Sequence, residues 1–382
     1  MQSSTQPIVR SRLALVLVVV VSLAVGCGGG VTPSPAASSA SPAASSAPPD
    51  GSAPPSEAPS EAPGLTELTP VTYYVGGVTS SAPQDYSGEA QGIFAKYNLD
   101  PEFVVLDGTS QAVQAVAAHR EGFAYTQGSI LDEMLIADNN PDAPALLAIA
   151  SMAPLNPVAV LYLEDTGIST PADLVGKTIG VPTGSLSETY LNVFLEREGI
   201  ATDSVTIQNI GFAALHPALL QGQVDAIAEF ARGIASMEVV AAEENRSVGY
   251  FLFGEYDIPS PLTAVVTQKR VVDENPAVAQ AIANVTTEAL HFCVVDPEQC
   301  IRDFVDLNEG RDYDATLAEW NLALEAQYGL DAATVQDMEP GQLGWFDADL
   351  VANAVPELSE VFGVEQTFDP TTLYTNQFVQ QP

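Results

Sequence analysis

The fold is decided by residues 178–228, which are TIGVPTGSLSETYLNVFLEREGIATDSVTIQNIGFAALHPALLQGQVDAIA. Short apolar runs alternate here with stretches of helical pattern. The predicted strands are 178–181, 205–210 and 224–228, and the predicted helices are 186–198 and 214–221. Gly199 and Gly222 follow the two helices, where a helix C-cap needs left-handed backbone. The alternation predicts a parallel sheet built from β-α-β crossovers.

The same alternation occurs upstream and predicts a first lobe of similar construction. Its strands are 71–75, 103–106 and 123–126, with 146–152 continuing the sheet, and its helices are 89–97 and 110–118. Two apolar runs, 158–163 and 262–267, flank the second lobe and predict that two strands join the lobes as a hinge. The expected class is therefore α/β, with two lobes.

The remainder of the chain is mainly helical in pattern. The predicted helices are 277–292, 297–307, 315–328 and 350–362, with Pro297 at a first helical position. We expect them to pack on the first lobe. The predicted domains are the first part of lobe 1 (66–160), lobe 2 (161–258), and the return strand and C-terminal helices of lobe 1 (259–382).

The N-terminus has the order of a secretory signal. Arg10 and Arg12 precede an apolar run at 13–21, and the residues before Cys27 are small, as in the bacterial lipobox. We expect residues 1–26 to be a signal peptide and Cys27 to carry lipid. A disordered linker rich in Pro, Ala and Ser is expected over 27–65. The alternative is ordinary signal cleavage with an unmodified Cys27. The predicted location is the outer face of the cell membrane.

Charge and cysteine content exclude several kinds of function. The chain has 12 basic and 49 acidic residues, a net charge of −37, which disfavours binding to nucleic acid or anionic membranes. No later segment is expected to be apolar enough to cross a membrane. Cys293 and Cys300 are a predicted disulfide, with two unpaired thiols as the alternative. We expect no metal or cofactor, and the three histidines show no catalytic spacing.

The candidate ligand site lies where the strands of the two lobes end, because the loops leaving parallel strands gather at one edge of a sheet. If the two edges face each other, they form one cleft. Ser185 and Glu188 have the spacing of a capping box, and the helix they begin can hold an acceptor or simply be capped. Stacking faces are expected from Tyr73, Tyr74, Tyr125 and Phe212. The predicted ligand-binding residues are Tyr74, Ser80, Ser81, Gln127, Gly128, Thr183, Gly184, Ser185, Ser187, Phe212, Glu229, Phe230 and Arg232.

Four segments resemble a known family: GISTPADLVGKTIGVPTGS at 167–185, ALLQGQVDA at 218–226, GIFAKY at 92–97 and LYTN at 373–376. They are similar to SsuA/THI5-like solute-binding proteins of ABC importers, although Asn98 stands where the family usually has glycine. The resemblance implies the type II periplasmic-binding-protein fold, a small-molecule ligand held between two lobes, and delivery to an ABC permease with its ATPase. We expect a monomer without enzymatic activity.

The resemblance also implies one of a few ligand classes. These are nitrate or bicarbonate, taurine and other sulfonates, and heterocycles such as the thiamine-pyrimidine precursor or riboflavin. Arg232 is the one cation predicted in the cleft, and the negative field slows the capture of anions. We therefore predict a pyrimidine-type or flavin-type ligand. The alternatives are a sulfonate, taurine or nitrate carrier, a stand-alone sensor, and an enzyme like the thiamine-pyrimidine synthases, whose cysteine-rich motif is not found in this sequence.

Overall fold

A computed structural model describes residues 64–76, 83–106, 108–183, 185–256, 258–308 and 310–382. The strands within these ranges are β1 (Thr69–Val75), β2 (Leu99–Val105), β3 (Ala124–Ser129), β4 (Leu146–Ala153), β5 (Val158–Leu163), β6 (Thr178–Val181), β7 (Thr206–Asn209), β8 (Ala226–Phe230), β9 (Val248–Leu252) and β10 (Thr263–Gln268). The α-helices are α1 (Pro83–Ala90), α2 (Ile93–Lys96), α3 (Thr109–Ala118), α4 (Ile130–Asn139), α5 (Leu186–Arg197), α6 (Leu215–Leu220), α7 (Gly233–Glu243), α8 (Lys269–Glu274), α9 (Pro276–Val295), α10 (Pro297–Leu307), α11 (Tyr313–Ala323), α12 (Ala332–Val335) and α13 (Ala348–Phe362).

The strands form two five-stranded sheets, one in each lobe. The first has the order β2-β1-β3-β10-β4 and the second the order β7-β6-β8-β5-β9. Both are mixed rather than purely parallel, because β10 runs antiparallel to β3 and β4, and β5 runs antiparallel to β8 and β9. The predicted α/β class, two lobes and helical C-terminal region are confirmed. The all-parallel arrangement is wrong, and β4, predicted to continue the first sheet, lies at its edge beside β10.

The two apolar runs predicted as a hinge are inner strands, one in each sheet. Every residue of β5 is buried, as are five of the six residues of β10, and this burial explains their apolar sequences. The chain crosses between the sheets at 154–157 and 253–262, so the predicted boundary at residue 160 falls inside β5. The crossings are tied together, because Asn156 Nδ2 donates a hydrogen bond to the Pro259 carbonyl at 3.0 Å.

Several elements differ from their predicted bounds for local reasons. The helix predicted over 89–97 begins earlier, at Pro83, and is interrupted at Gly92, which adopts a positive φ of 71° between α1 and α2. Strand β9 was not predicted because Gly249 interrupts its apolar pattern. The glycine is required there, since a Cβ would collide with the ring of Tyr162. By contrast, β6 and α10 have the predicted limits.

Helix α9 runs through the core of the first lobe. It is long and apolar enough to span a membrane by length and composition, so the expectation that no later segment qualifies is wrong. Its apolar residues face protein, however: Ile282 and Leu290 are fully buried. A disulfide joins its Cys293 to Cys300 of α10, and Trp320 Nε1 of α11 donates a hydrogen bond to the Cys293 carbonyl at 2.9 Å. These contacts fix the corner between the three helices.

Candidate functional site

A cavity of about 60 Å³ lies between the two sheets. Its walls come from both lobes, from the first crossing and from the C-terminal region. The lining residues are Tyr73, Val75, Gly76, Asp85, Thr109, Thr126, Gln127, Gly128, Ser129, Asp132, Ala153 and Thr263 of lobe 1, Leu186, Phe230 and Arg232 of lobe 2, Pro157 of the crossing, and Gln327 and Tyr328 beyond α11.

Asp85 is the central acid of this cavity. Its carboxylate accepts hydrogen bonds from the Tyr73 hydroxyl at 2.5 Å and from Gln127 Nε2 at 2.8 Å. Burial raises the pKa of Asp85 to about 7, although both bonds and the positive charge of Arg232 act to lower it. The carboxyl therefore changes its charge near neutral pH, which is typical of groups at functional sites.

The ring of Tyr73 lines the lobe 1 side of the cavity beside this acid. Tyr73 stacks on Tyr125 with ring centroids 4.5 Å apart, and burial raises the pKa of both phenols well above the usual value. Tyr74, the residue predicted to bind ligand, points to the opposite face because side chains alternate along a strand. Its hydroxyl lies 3.0 Å from Nδ1 of His119, and it is not among the residues that line the cavity.

Lobe 2 contributes an aromatic residue and a cation from the end of β8. The guanidinium of Arg232 lies 4.9 Å from the ring centroid of Phe230, a distance that permits a cation–π interaction. Burial lowers the pKa of Arg232. Phe230 and Arg232 thus face the cavity as predicted from their position where a strand ends.

The end of β3 supplies the remaining predicted residues of the cavity. Gln127 holds Asp85, as described above. Gly128 allows α3 to approach closely, since a Cβ there would collide with Cγ2 of Val113. Beyond them, the carboxylate of Asp132 accepts hydrogen bonds from the hydroxyls of Ser129 at 2.6 Å and Ser110 at 2.8 Å.

The start of α5 does not present its predicted hydroxyls to the cavity. Ser185 Oγ accepts from the backbone N–H of Glu188 at 3.2 Å and donates to the Pro182 carbonyl at 2.7 Å, so it serves as a helix cap. Its own backbone N–H donates to that same carbonyl. Ser187 is buried, with no hydrogen-bond partner in the described residues for its hydroxyl, and Thr183 is exposed. Leu186 lines the cavity instead.

A second compartment of about 300 Å³ opens between lobe 2 and α11. The predicted residues Phe212 and Glu229 line it, whereas Phe230 and Arg232 line both cavities. Oε1 of Glu229 lies 2.5 Å from Nε2 of His216. Burial lowers the pKa of His216, but the charge and hydrogen bond of Glu229 outweigh this, so the net pKa is raised. Glu229 therefore pairs with a histidine that the sequence did not point to.

The remaining predicted residues, Ser80, Ser81, Gly184 and Cys27, lie outside the described residues. The lining residues that sequence reasoning did not single out include Asp85, Gln327 and Tyr328. Asp85 could have been suspected from its place in the first turn of α1, but an acid there is typical of any helix N-terminus. Gln327 and Tyr328 lie at the end of the predicted helix 315–328 and carry no sequence signal of a ligand site. Among the described residues, no group of His, Cys, Asp and Glu side chains is arranged to hold a metal.

Comparison with known proteins assigns the chain to a family. The sequence profile described as NMT1/THI5 like matches residues 82–300, more than half of the chain. The chain is 25% identical over 219 residues to the formylaminopyrimidine-binding protein of Halalkalibacterium halodurans. That match covers 56% of this chain and 63% of the relative, so it spans less than two thirds of the relative's length.

Solved structures show the same architecture. The periplasmic aliphatic sulphonate binding protein SsuA from Escherichia coli aligns with a TM-score of 0.58 at 16% identity, over 82% of this chain and 99% of that one. The alkanesulfonate-binding protein SsuA from Xanthomonas axonopodis pv. citri, bound to MOPS, aligns with a TM-score of 0.57 at 15% identity, over 80% and 96%. These likenesses confirm the predicted periplasmic-binding-protein fold.

Proposed function

The chain belongs to the NMT1/THI5 like family, and from this premise we propose that it is the solute-binding component of an ABC importer. It captures a small nitrogen heterocycle between its lobes and delivers it to a permease with its ATPase. The preferred ligand is a pyrimidine of the thiamine-precursor type. Cys27 holds the protein at the outer face of the membrane, and the protein acts as a monomer.

The buried carboxyl of Asp85 is the main observation in support of a pyrimidine ligand. An aminopyrimidine places an N–H donor beside a ring-nitrogen acceptor, and a carboxyl group that titrates near pH 7 can match either atom. Tyr73, which stacks on Tyr125, adds an aromatic side chain to the lining, as is typical of ligand sites. An ionised carboxylate at the centre of the cavity would repel nitrate or a sulfonate, because like charges in a low dielectric interact strongly.

The size of the cavity favours the smaller heterocycle. A volume of about 60 Å³ accommodates a handful of water molecules, at about 10–15 Å³ for each. A pyrimidine needs a modest opening of the lobes, whereas a flavin needs a much larger one. The name of the relative from Halalkalibacterium halodurans also supports a pyrimidine ligand.

A sulfonate is the second candidate, and the position of Arg232 favours it. Arg232 is half-buried and lines the cavity, and arginine suits the planar recognition of oxyanions. In this alternative, Asp85 takes its protonated form and donates a hydrogen bond to a sulfonate oxygen.

The two-lobed architecture supports delivery to an importer. Ligand contacts made by both lobes stabilise a closed form by their differential affinity, and the crossings at 154–157 and 253–262 absorb the motion. A lipid at Cys27 would keep this receptor near its permease at high effective concentration. A membrane sensor would recognise the same closed form, so co-purification with a permease and its ATPase is the result expected for an importer. We infer no catalytic role, and turnover of the bound pyrimidine would contradict this.

Calorimetry with a ligand panel tests the proposal. The panel contains an N-formyl aminopyrimidine, riboflavin, taurine and nitrate, and wild type is compared with Asp85→Ala and with Asp142→Ala, which removes an exposed acid. We expect the pyrimidine to bind wild type and the control, and to bind Asp85→Ala at least tenfold more weakly. If taurine or nitrate binds and neither heterocycle gives a heat of binding, the assignment of a heterocycle ligand is contradicted. Retention of a Cys27→Ser variant on the membrane would contradict lipid anchoring.

A further inference from the structure

The C-terminal region forms a wall of the ligand cavity that belongs to neither sheet. Helix α11 ends in a single π-helical turn, Leu324–Tyr328, which closes at Gly329 in the left-handed conformation (φ 64°). Such turns are rare and occur often at functional sites. This one brings Gln327 and Tyr328 to the cavity.

The turn is anchored to the crossing between the lobes. The backbone N–H of Leu155 donates a hydrogen bond to the Gln327 carbonyl at 3.2 Å. Helix α11 itself packs against α7 of lobe 2 and against α10 of the C-terminal region. The positions of the Gln327 and Tyr328 side chains are therefore set by backbone contacts and helix packing, and no ligand is needed to form them.

Gln327 presents a hydrogen-bond donor that the protein does not use. The residue is 4% exposed, and its Nε2 has no partner among the described residues. Buried amide groups are nearly always paired, because an unmade hydrogen bond costs free energy. An unpaired amide that lines a cavity is therefore a group expected to meet a ligand.

Tyr328 supplies a second donor beside it. Its hydroxyl oxygen accepts a hydrogen bond from Gln84 Nε2 at 3.1 Å, which leaves the hydroxyl hydrogen available to donate. Burial raises the pKa of Tyr328 to about 12, so the phenol keeps this hydrogen at neutral pH. The cavity thus has neutral donors from two consecutive residues of its C-terminal wall.

On the premise of the proposed function, we propose that Gln327 and Tyr328 form a donor subsite for a neutral carbonyl oxygen of the ligand, such as that of a formamide substituent. A carbonyl oxygen has two lone pairs and can accept from both donors. Both donors are uncharged, so they match a neutral acceptor better than an oxyanion, which charged partners bind more strongly. The subsite therefore selects a formylated pyrimidine over the free amine.

Two probes and three variants test this subsite. The probes are 4-amino-5-(formylaminomethyl)-2-methylpyrimidine and the corresponding amine without the formyl group, and affinities are measured by calorimetry on the full chain. Gln327→Met keeps the size of the side chain but removes the amide, and Tyr328→Phe removes only the hydroxyl. Gln336→Met is the matched control at an exposed glutamine.

We expect wild type and the control to prefer the formylated probe. Each cavity variant should lose at least tenfold in affinity for that probe and less than threefold for the amine. Unfolding in urea separates this role from a structural one, because removing an unpaired buried donor leaves Gln327→Met at least as stable as wild type. Equal losses for both probes, or a marked loss of stability in Gln327→Met, would overturn the subsite. Failure of wild type to bind either pyrimidine would overturn the proposed function as well.

Discussion

Replacement of Asp85 by asparagine should remove the pH dependence of stability that this carboxyl causes. Raising the pKa of this carboxyl from 3.8 to about 7 corresponds to roughly 4 kcal/mol, at about 1.4 kcal/mol for each pKa unit. Because the folded state holds the proton more tightly than the unfolded state, wild type loses this stability as the pH rises from about 4 to about 7. An asparagine cannot ionise, so the variant does not lose it.

The substitution also has a cost that does not depend on pH. Asp85 accepts hydrogen bonds from Tyr73 and Gln127 on separate oxygens, whereas asparagine has one oxygen, so one bond worth about 1 kcal/mol is lost. We therefore expect Asp85→Asn to be less stable than wild type by about 1 kcal/mol at pH 4 and more stable by about 3 kcal/mol at pH 8. The two curves should cross between these values.

Urea unfolding followed by tryptophan fluorescence measures this difference. Trp320 is 2% exposed and lies in the same core as the helices that pack on α1. Asp142→Asn controls for the loss of one negative charge, because Asp142 is exposed. The quantity compared is the free energy of unfolding of Asp85→Asn minus that of wild type. If this difference stays constant from pH 4 to pH 8, or becomes more favourable to the variant on acidification, the raised pKa and its assignment to burial are refuted.

Three further outcomes follow from the buried groups and the disulfide. At pH 8, urea unfolding should show that Glu133→Gln has a free energy of unfolding higher than wild type by on the order of 2 kcal/mol. At pH 4 it should show no such gain. Both carboxylate oxygens of Glu133 are buried without a partner in the described residues, and burial raises its pKa well above the usual value. Replacing Cys293 and Cys300 by alanine should cost about 2.5 kcal/mol, the loop-closure entropy for a separation of 7 residues; equal unfolding midpoints for variant and wild type would contradict it. Glu229→Gln should lower the pKa of His216 in an NMR titration, because burial remains while the anion is lost; an unchanged titration would mean that Glu229 is not the cause.

The sequence predicted well those features that depend on local pattern. The limits of β6 and α10 follow from short apolar runs and from Pro297 at a helix start. Phe230 and Arg232 were found because β8 ends beside them, and the end of a strand is a position that the sequence reveals. The disulfide pairing of Cys293 with Cys300 was likewise suggested by their proximity in the chain and their number.

Features that depend on distant pairing could not be predicted in this way. Strand β10 enters the first sheet between β3 and β4, about 110 residues or more after them, and nothing in its apolar sequence specifies a neighbour or a direction. A shift of one residue along a strand also changes the face that a side chain occupies. Tyr73 lines the cavity and Tyr74 does not, for this reason alone.

The protonation of Asp85 distinguishes the two ligand classes by the sign of their pH dependence. A heterocycle that donates an N–H to the ionised carboxylate should bind more tightly as the pH rises towards 7, and its affinity should level off above that value. A sulfonate on Arg232 requires the protonated carboxyl, because two adjacent anions in a buried cavity repel each other. Its affinity should fall by up to tenfold for each pH unit above about 7. Calorimetry at pH 6 and pH 8, repeated with Asp85→Asn to remove the titrating group, therefore separates the classes even where a single measurement finds both ligands bound.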